Sequence, residues 1–155
     1  MAGAVYVFDS NIFVDLQRRQ PIDLYPSVWE KISRLMEDGV IISSHEVYEE
    51  ILSGSDDLAE WVKLREKSFV PSEESIQLIV RDILTRYRAL VEGGKKKNCA
   101  DPFVIAVAKA NNCKVVTSES PAGTQQPPKI PNVCSALNID CISFVAFQRE
   151  MKFAF

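Results

Sequence analysis

Four short apolar runs, Val5–Phe8, Val40–Ile42, Val115–Val116 and Cys141–Ile142, alternate along the chain with stretches of helical periodicity. No charged residue interrupts them, and Val and Ile dominate, so they read as strands buried on both faces. Buried parallel strands need crossover helices, and the intervening segments supply them. The predicted order is strand, helix, helix, strand, four helices, strand, helix, strand, helix. That order specifies an α/β fold of three layers, α/β/α, around a central parallel sheet of about four to five strands. In such sheets a ligand sits beyond the carboxyl ends of the strands.

The helical segments carry recognisable ends. Asn11–Gln17 is expected to form a short helix stopped at Gln20-Pro21. Ser27-Val28-Trp29-Glu30 reads as a capping box, with Trp29, Ile32, Leu35 and Met36 on one face behind it and Gly39 as the stop. Ser43-Ser44-His45-Glu46 reads as a second box with Ser43 as the cap, opening a helix with Val47, Ile51 and Leu52 and closed by Gly54. Asp56–Ser68 and Ser72–Val91 read as two longer helices, with Asp56 and Asp57 as caps for the first. Pro102–Asn112 is apolar on most sides and is expected to lie against the sheet. Residues 120–131 hold Pro121, Gly123, Pro127, Pro128 and Pro131, and therefore read as a loop. A short helix at Val133–Leu137 and a last one from Phe144 complete the pattern.

A length of 155 residues suits one domain, residues 1–155, with a single core. With 18 basic and 21 acidic residues the net charge is −3, which argues against tight, non-specific binding of nucleic acid by the whole surface. Residues 81–97 are an exception. Six basic side chains face two acidic ones there, a local charge of +4 that leaves −7 for the rest. The four cysteines, Cys99, Cys113, Cys134 and Cys141, form no CxxC pair and have no zinc-ligand spacing, so each is expected to fill the core as a free thiol. No signal-peptide pattern and no membrane-length apolar run occur, and the chain reads as cytoplasmic. The single histidine, His45, excludes HExxH zinc sites, and no GxSxG elbow supports a serine triad.

Carboxylates recur at the element ends. Asp9 follows the first strand, Glu50 lies in the helix after the second, Asp101 opens the helix before the third, and Glu119 follows the third across Thr117-Ser118. A fold that converges four acids needs a cation to hold them together. Mg²⁺ and Mn²⁺ take oxygen ligands, and such an ion activates water for hydrolysis. Plainer uses exist for each acid taken alone. Asp9 and Asp101 could cap their helices, with Pro102 at the favoured first helical position, and Glu119 could be solvated.

The strings that carry these acids are Val7-Phe8-Asp9-Ser10-Asn11, Tyr48-Glu49-Glu50-Ile51-Leu52-Ser53-Gly54, Cys99-Ala100-Asp101-Pro102-Phe103-Val104-Ile105-Ala106 and Val115-Val116-Thr117-Ser118-Glu119. In that order they resemble the PIN-domain nucleases over nearly the whole chain. The subgroup most similar is a small prokaryotic PIN-like group that also carries Ile130-Pro131-Asn132-Val133-Cys134 before its last strand. The resemblance implies hydrolysis of phosphodiester bonds, usually of RNA, with one or two Mg²⁺ or Mn²⁺ ions. Many prokaryotic members are toxins of toxin–antitoxin pairs and form homodimers, so an antitoxin partner and a homodimer are expected.

On that pattern Asp9, Glu50, Asp101 and Glu119 are the expected catalytic and metal-binding residues. Asp9 and Asp101 are the best ligands. Glu119 completes the site or orients the attacking water, at a position where the family more often has Asp or Asn. Glu50 binds directly or through water, and is preferred to Glu49, which points about 100° away around the helix. Glu46 is assigned to the capping box. The hydroxyls of Ser10 and Thr117 and the amide of Asn11 are expected to orient the carboxylates or waters. Lys95, Lys96, Lys97 and Arg88 are the expected grip on backbone phosphates, against the plainer use of a charged run as a solvated face. Asp15 is expected to be solvated. Trp29 and Trp61 stand on apolar faces and are expected to pack rather than stack on bases.

Three alternatives compete with a ribonuclease. A structure-specific DNA nuclease would carry more acids. A haloacid-dehalogenase-like enzyme needs a second Asp where Asn11 stands. A non-catalytic PIN-like module binding RNA or protein would be expected to lose some of the acids.

Overall fold

The computed structural model describes residues 3–54, 56–91 and 99–154. Five strands form the sheet: β1 Tyr6–Phe8, β2 Ile41–Ser44, β3 Phe69–Val70, β4 Lys114–Val116 and β5 Cys141–Ile142. Their spatial order is β3-β2-β1-β4-β5, and every pairing is parallel. Tyr6 sits opposite Ile41 on one side and Lys114 on the other, so β1 is central. The helices described are α1 Ser10–Arg19, α2 Pro26–Glu37, α3 His45–Leu52, α4 Asp57–Lys63, α5 Glu74–Arg86, α6 Asp101–Asn111, α7 Ile130–Ala136 and α8 Phe144–Glu150.

Strand order fixes the layers. The crossovers β1→β2→β3 move one way across the sheet, and β3→β4→β5 return past β1 and move the other way. With right-handed connections, α1–α4 then cover one face and α5–α7 the other. Side chains agree with this. Tyr6 and Phe8 point to one face of β1, where Phe8 meets Phe13 of α1 with ring centroids 5.5 Å apart and Phe147 of α8 at 5.0 Å. Fully buried Val7 points to the opposite face, and α6 packs across β1, β2 and β4. In α6, Val104–Ala108 are buried without a break, as its apolar sequence requires. The direction of motion reverses between β1 and β4, and a crevice opens there at the carboxyl ends of the strands.

Several local expectations shift. β3 carries no signal of its own in the sequence. Phe69–Val70 follows a 3-10 turn at Glu66–Ser68, where a continuous helix Asp56–Ser68 was expected. Two residues show no periodicity, and the strand exists because Ser43 and Ser44 pair with it. The expected capping box at Ser27 gives way to Pro26 in the first helical turn, with Tyr25 as a cap that makes no side-chain bond. Ser44, not Ser43, caps α3, its hydroxyl accepting from Val47 N–H at 3.2 Å. Ser43 is instead buried in β2 and donates to the Phe8 carbonyl. The expected helix Ser72–Val91 ends as α5 at Arg86, followed by a 3-10 turn at Arg88–Leu90.

Of the cysteines, Cys113 and Cys134 are buried and Cys141 is half-buried, but Cys99 is exposed and does not fill the core. Trp29 is buried and packs edge-to-face on half-buried Trp61 at 5.0 Å. The basic loop Gly93–Lys97 lies outside the described residues. No described helix is long and apolar enough to cross a membrane.

Candidate active site

Asp9 leaves β1 and caps α1, so its carboxylate is fixed by the sharp change from strand to helix. Its Oδ1 accepts from Ser10 N–H at 2.8 Å and its Oδ2 from the Thr117 hydroxyl at 2.8 Å. Thr117 follows β4, next to β1 in the sheet, which is why residues 108 positions apart can meet. The same Thr117 oxygen accepts from Asn11 Nδ2 at 3.4 Å and from Glu119 N–H at 3.2 Å. Asn11 Oδ1 accepts from Ser118 N–H at 3.1 Å. One hydroxyl thus joins the β1 and β4 ends and carries the chain on to Glu119.

Asp101 arrives from the other face as the first residue of α6, beside Pro102. It is 7% exposed, yet Ala100 rather than Asp101 caps the helix, and Asp101 makes no capping bond. Carboxylate oxygens of Asp9, Asp101 and Glu119 all lie within 4.8 Å of one another, a spacing that could hold a metal ion. Glu50 is outside that trio but close enough to act on Asp101 electrostatically. Oε2 of Glu50 and Oε1 of Glu119 are buried without a hydrogen-bond partner among the described residues. Unpaired buried carboxylate oxygens are costly, and a cation is the group that would satisfy several at once.

The electrostatics show the crowding. Burial, then the charges of Asp9, Glu119 and Glu50, push the Asp101 carboxyl up to about 9. Burial also raises Asp9, against the hydrogen bonds from Thr117, Ser10 and Asn11, with Asp15 adding repulsion. Glu50 is raised by burial and by Asp9, opposed by the Ser10 hydroxyl. Glu119 is raised by burial and Asp9, opposed by the Ile130 N–H and by Lys129. Four acids that resist ionising together in one crevice form a donor set suited to a hard divalent ion.

The neighbouring positions divide. Glu49 turns outward, its carboxylate 3.0 Å from His45 Nε2 with a side chain 68% exposed, whereas Glu50 turns inward. Glu46, assigned from sequence to a capping box with Ser43, is not in one, because the cap is Ser44. Its Oε1 is buried and unpartnered among the described residues, and it lines a cleft of about 790 Å³ with Val14, Glu49, Glu50, Ala100 and Phe103. Asp15 lies six residues beyond Asp9 in α1 and is close enough to raise it. Arg88 is exposed on its 3-10 turn, and Lys95, Lys96 and Lys97 fall outside the described residues. Lys129 has no role in the sequence reading. A signal was present, since it directly precedes Ile130-Pro131-Asn132, but only the folded loop shows it beside Glu119.

This architecture, a five-stranded parallel α/β/α sheet with acids gathered at the switch between β1 and β4, is the PIN-like fold that the sequence resemblance implied. Residues 6–155 match the family described as "Domain of unknown function (DUF4411)", and the chain belongs to that family. VapBC2 from Rickettsia felis, crystallised bound to a DNA fragment from their promoter, matches with a TM-score of 0.55 at 17% identity, over 90% of this chain and 98% of that one. VapBC-1 from nontypeable Haemophilus influenzae matches with a TM-score of 0.55 at 14% identity, over 91% of this chain and 98% of that one. At these identities the likeness is one of fold. No curated protein matches the sequence.

Proposed function

We propose that the protein is a metal-dependent endoribonuclease that hydrolyses phosphodiester bonds in RNA, acting as the toxin of a toxin–antitoxin pair. The observation that carries this is the trio Asp9, Asp101 and Glu119, with oxygens within 4.8 Å of one another in a crevice at the strand ends. The VapBC neighbours support the pairing with an antitoxin. The resemblance to prokaryotic PIN-domain toxins supports a homodimer, and the free cysteines a cytoplasmic setting.

Asp9, Asp101 and Glu119 would hold one Mg²⁺ or Mn²⁺, and Glu50 would bind it through water or share a second ion. A divalent ion there supplies a water of lowered pKa and offsets the charge that builds on the phosphate. The residues do the rest. Thr117 and the Ser10 N–H keep both oxygens of Asp9 fixed in place, so the carboxylate loses little rotamer freedom on binding. Glu119, with Oε1 buried and unpartnered among the described residues, would complete the site or orient the attacking water. Burial and the neighbouring acids push the Asp101 carboxyl up to about 9, so its oxygen would have to lose a proton to serve as a ligand. The cleft beside Glu50 and Phe103 offers a path for the polynucleotide.

The test is cleavage of a mixed RNA pool and a single-stranded DNA pool in Mn²⁺, Mg²⁺ or EDTA, by wild type and Asp101→Asn. The expected result is RNA cleavage that needs metal and falls by about 10³-fold or more in the variant. Cleavage of DNA alone would replace the substrate. A folded wild type that cuts neither pool would instead indicate a binding module.

A further inference from the structure

The string Ile130-Pro131-Asn132-Val133-Cys134 contributes no carboxylate to the acid cluster, yet it opens α7 directly behind the loop that leaves Glu119. Asn132 makes three hydrogen bonds at that point. Its Oδ1 accepts from Ala122 N–H at 2.9 Å and from Lys129 N–H at 2.9 Å, and its Nδ2 donates to the Ala122 carbonyl at 3.2 Å. One amide therefore ties together both ends of the segment 122–129. Within that segment the backbone makes a single further bond, Gln126 N–H to the Gly123 carbonyl at 3.1 Å, and Gly123 to Pro127 are exposed. A Gly- and Pro-containing loop with so few internal bonds relies on its closure for shape.

The closure has a consequence for charge. Lys129 is exposed, and the bond of its N–H to Asn132 holds its backbone beside Ala122, three residues beyond Glu119, whose carboxyl the Lys129 charge lowers. Asp9, Glu50 and Asp101 are acted on by like charges, whereas Glu119 is also acted on by Lys129. An anionic polymer is repelled by a crevice of carboxylates, and an exposed ammonium at its rim counters that repulsion where the backbone must approach.

We propose that Lys129 is a substrate-binding residue that contacts a phosphate of the RNA backbone, and that Asn132 is the positioning residue that holds it at the rim. The proposal rests on the ribonuclease reading above. Loss of Lys129 should weaken RNA binding without weakening metal binding, because the ammonium is not a ligand.

The experiment measures kcat and KM on a single-stranded RNA oligonucleotide in Mn²⁺ over a range of KCl, with Mn²⁺ affinity measured separately by calorimetry without RNA. Lys129→Ala should raise KM about tenfold and flatten the slope of log KM against log salt by about 0.7, one phosphate contact on a single strand. Its kcat should change far less. Lys129→Arg should restore both KM and slope, since either cation serves a phosphate. Asn132→Ala should reproduce the KM defect, and the double variant should be no worse than either single one, the non-additivity expected when one residue acts through the other. Because Lys129 is exposed, Lys129→Ala keeps the fold and decides the matter even if Asn132→Ala fails to fold. Tighter Mn²⁺ binding in Lys129→Ala, with KM and salt slope unchanged, would make Lys129 an internal counter-ion of Glu119 and overturn the proposal. RNA left intact by the metal-loaded wild type would instead remove the ribonuclease reading, and this proposal with it.

Discussion

The two walls of the acidic crevice are built differently. On the β1–β4 wall, Asp9 has a donor on each oxygen, from Ser10 N–H and the Thr117 hydroxyl. On the helical wall, Asp101 meets only influences that raise its pKa, and Glu50 keeps a buried oxygen without a partner among the described residues. The strand wall fixes a carboxylate in place before any ligand arrives. The helical wall has no such donors on Asp101, and unpartnered buried oxygens remain on both sides among the described residues, Glu50 Oε2 on α3 and Glu119 Oε1 beyond β4. A carboxylate fixed on one side and one without donors on the other describe a preorganised site suited to a cation.

Neutralising one acid on each wall should bring out the difference most visibly. In EDTA at about pH 8.5, Asp101→Asn should raise Tm by about 5–10 °C, roughly 2–3 kcal/mol, because the amide is neutral without the proton that folding must otherwise take up at that pH. Asp9→Asn should gain much less or lose stability, because it trades the same relief for a donor facing a donor. Equal shifts in the two variants would dissolve the distinction between the walls. The pH profile carries the same sign. Asp101 is pushed up to about 9 in the folded chain, above its unfolded value, so the folded state holds the extra proton. The stability that this proton contributes is full below about pH 4 and lost as pH rises through about 9. Metal-free wild type should therefore melt at progressively lower temperature over that window, and Asp101→Asn should show a shallower slope.

A smaller effect isolates the strand wall. Thr117→Val keeps shape but removes the hydroxyl that bonds Asp9 and receives Asn11 Nδ2 and Glu119 N–H. It should cost about 1–2 kcal/mol in stability and about tenfold in Mn²⁺ affinity, read by thermal melts and calorimetry. The smallest effect is a control away from both walls. Gly39 ends α2 with φ +76, and a methyl group there would meet open space, so Gly39→Ala should cost about 1 kcal/mol through backbone strain alone. Its metal affinity and cleavage rate should match wild type.

Much of this was legible in the amino-acid order, for reasons that differ by element. β1, β2, β4 and β5 announce themselves as apolar runs, and α6 as a helix apolar on most sides. β3 does not, since Phe69 and Val70 form a strand only through their neighbours Ser43 and Ser44. The shift of the α3 cap from Ser43 to Ser44 has the same origin: β2 runs on to Ser44, and Ser43 is drawn into the sheet by the Phe8 carbonyl. That shift matters for the site, because it removes the capping role expected of Glu46, which lines the cleft with a buried Oε1 instead. The acids that end strands or open helices could be placed from sequence because element ends are where a short carboxylate is held. Lys129 and Asn132 could not, because their roles depend on how a Pro-rich loop closes, and local propensity does not encode an amide clamp across it.

The most direct test of the central claim is a calorimetric titration of Mn²⁺ into metal-free wild type and Asp101→Asn at pH 7, repeated in two buffers of different ionisation enthalpy. Binding to wild type with release of about one proton per ion, and little or no binding to the variant, is the predicted result. No binding to a folded wild type, or equal binding to both proteins without proton release, would contradict the reading of the crevice as a cation site.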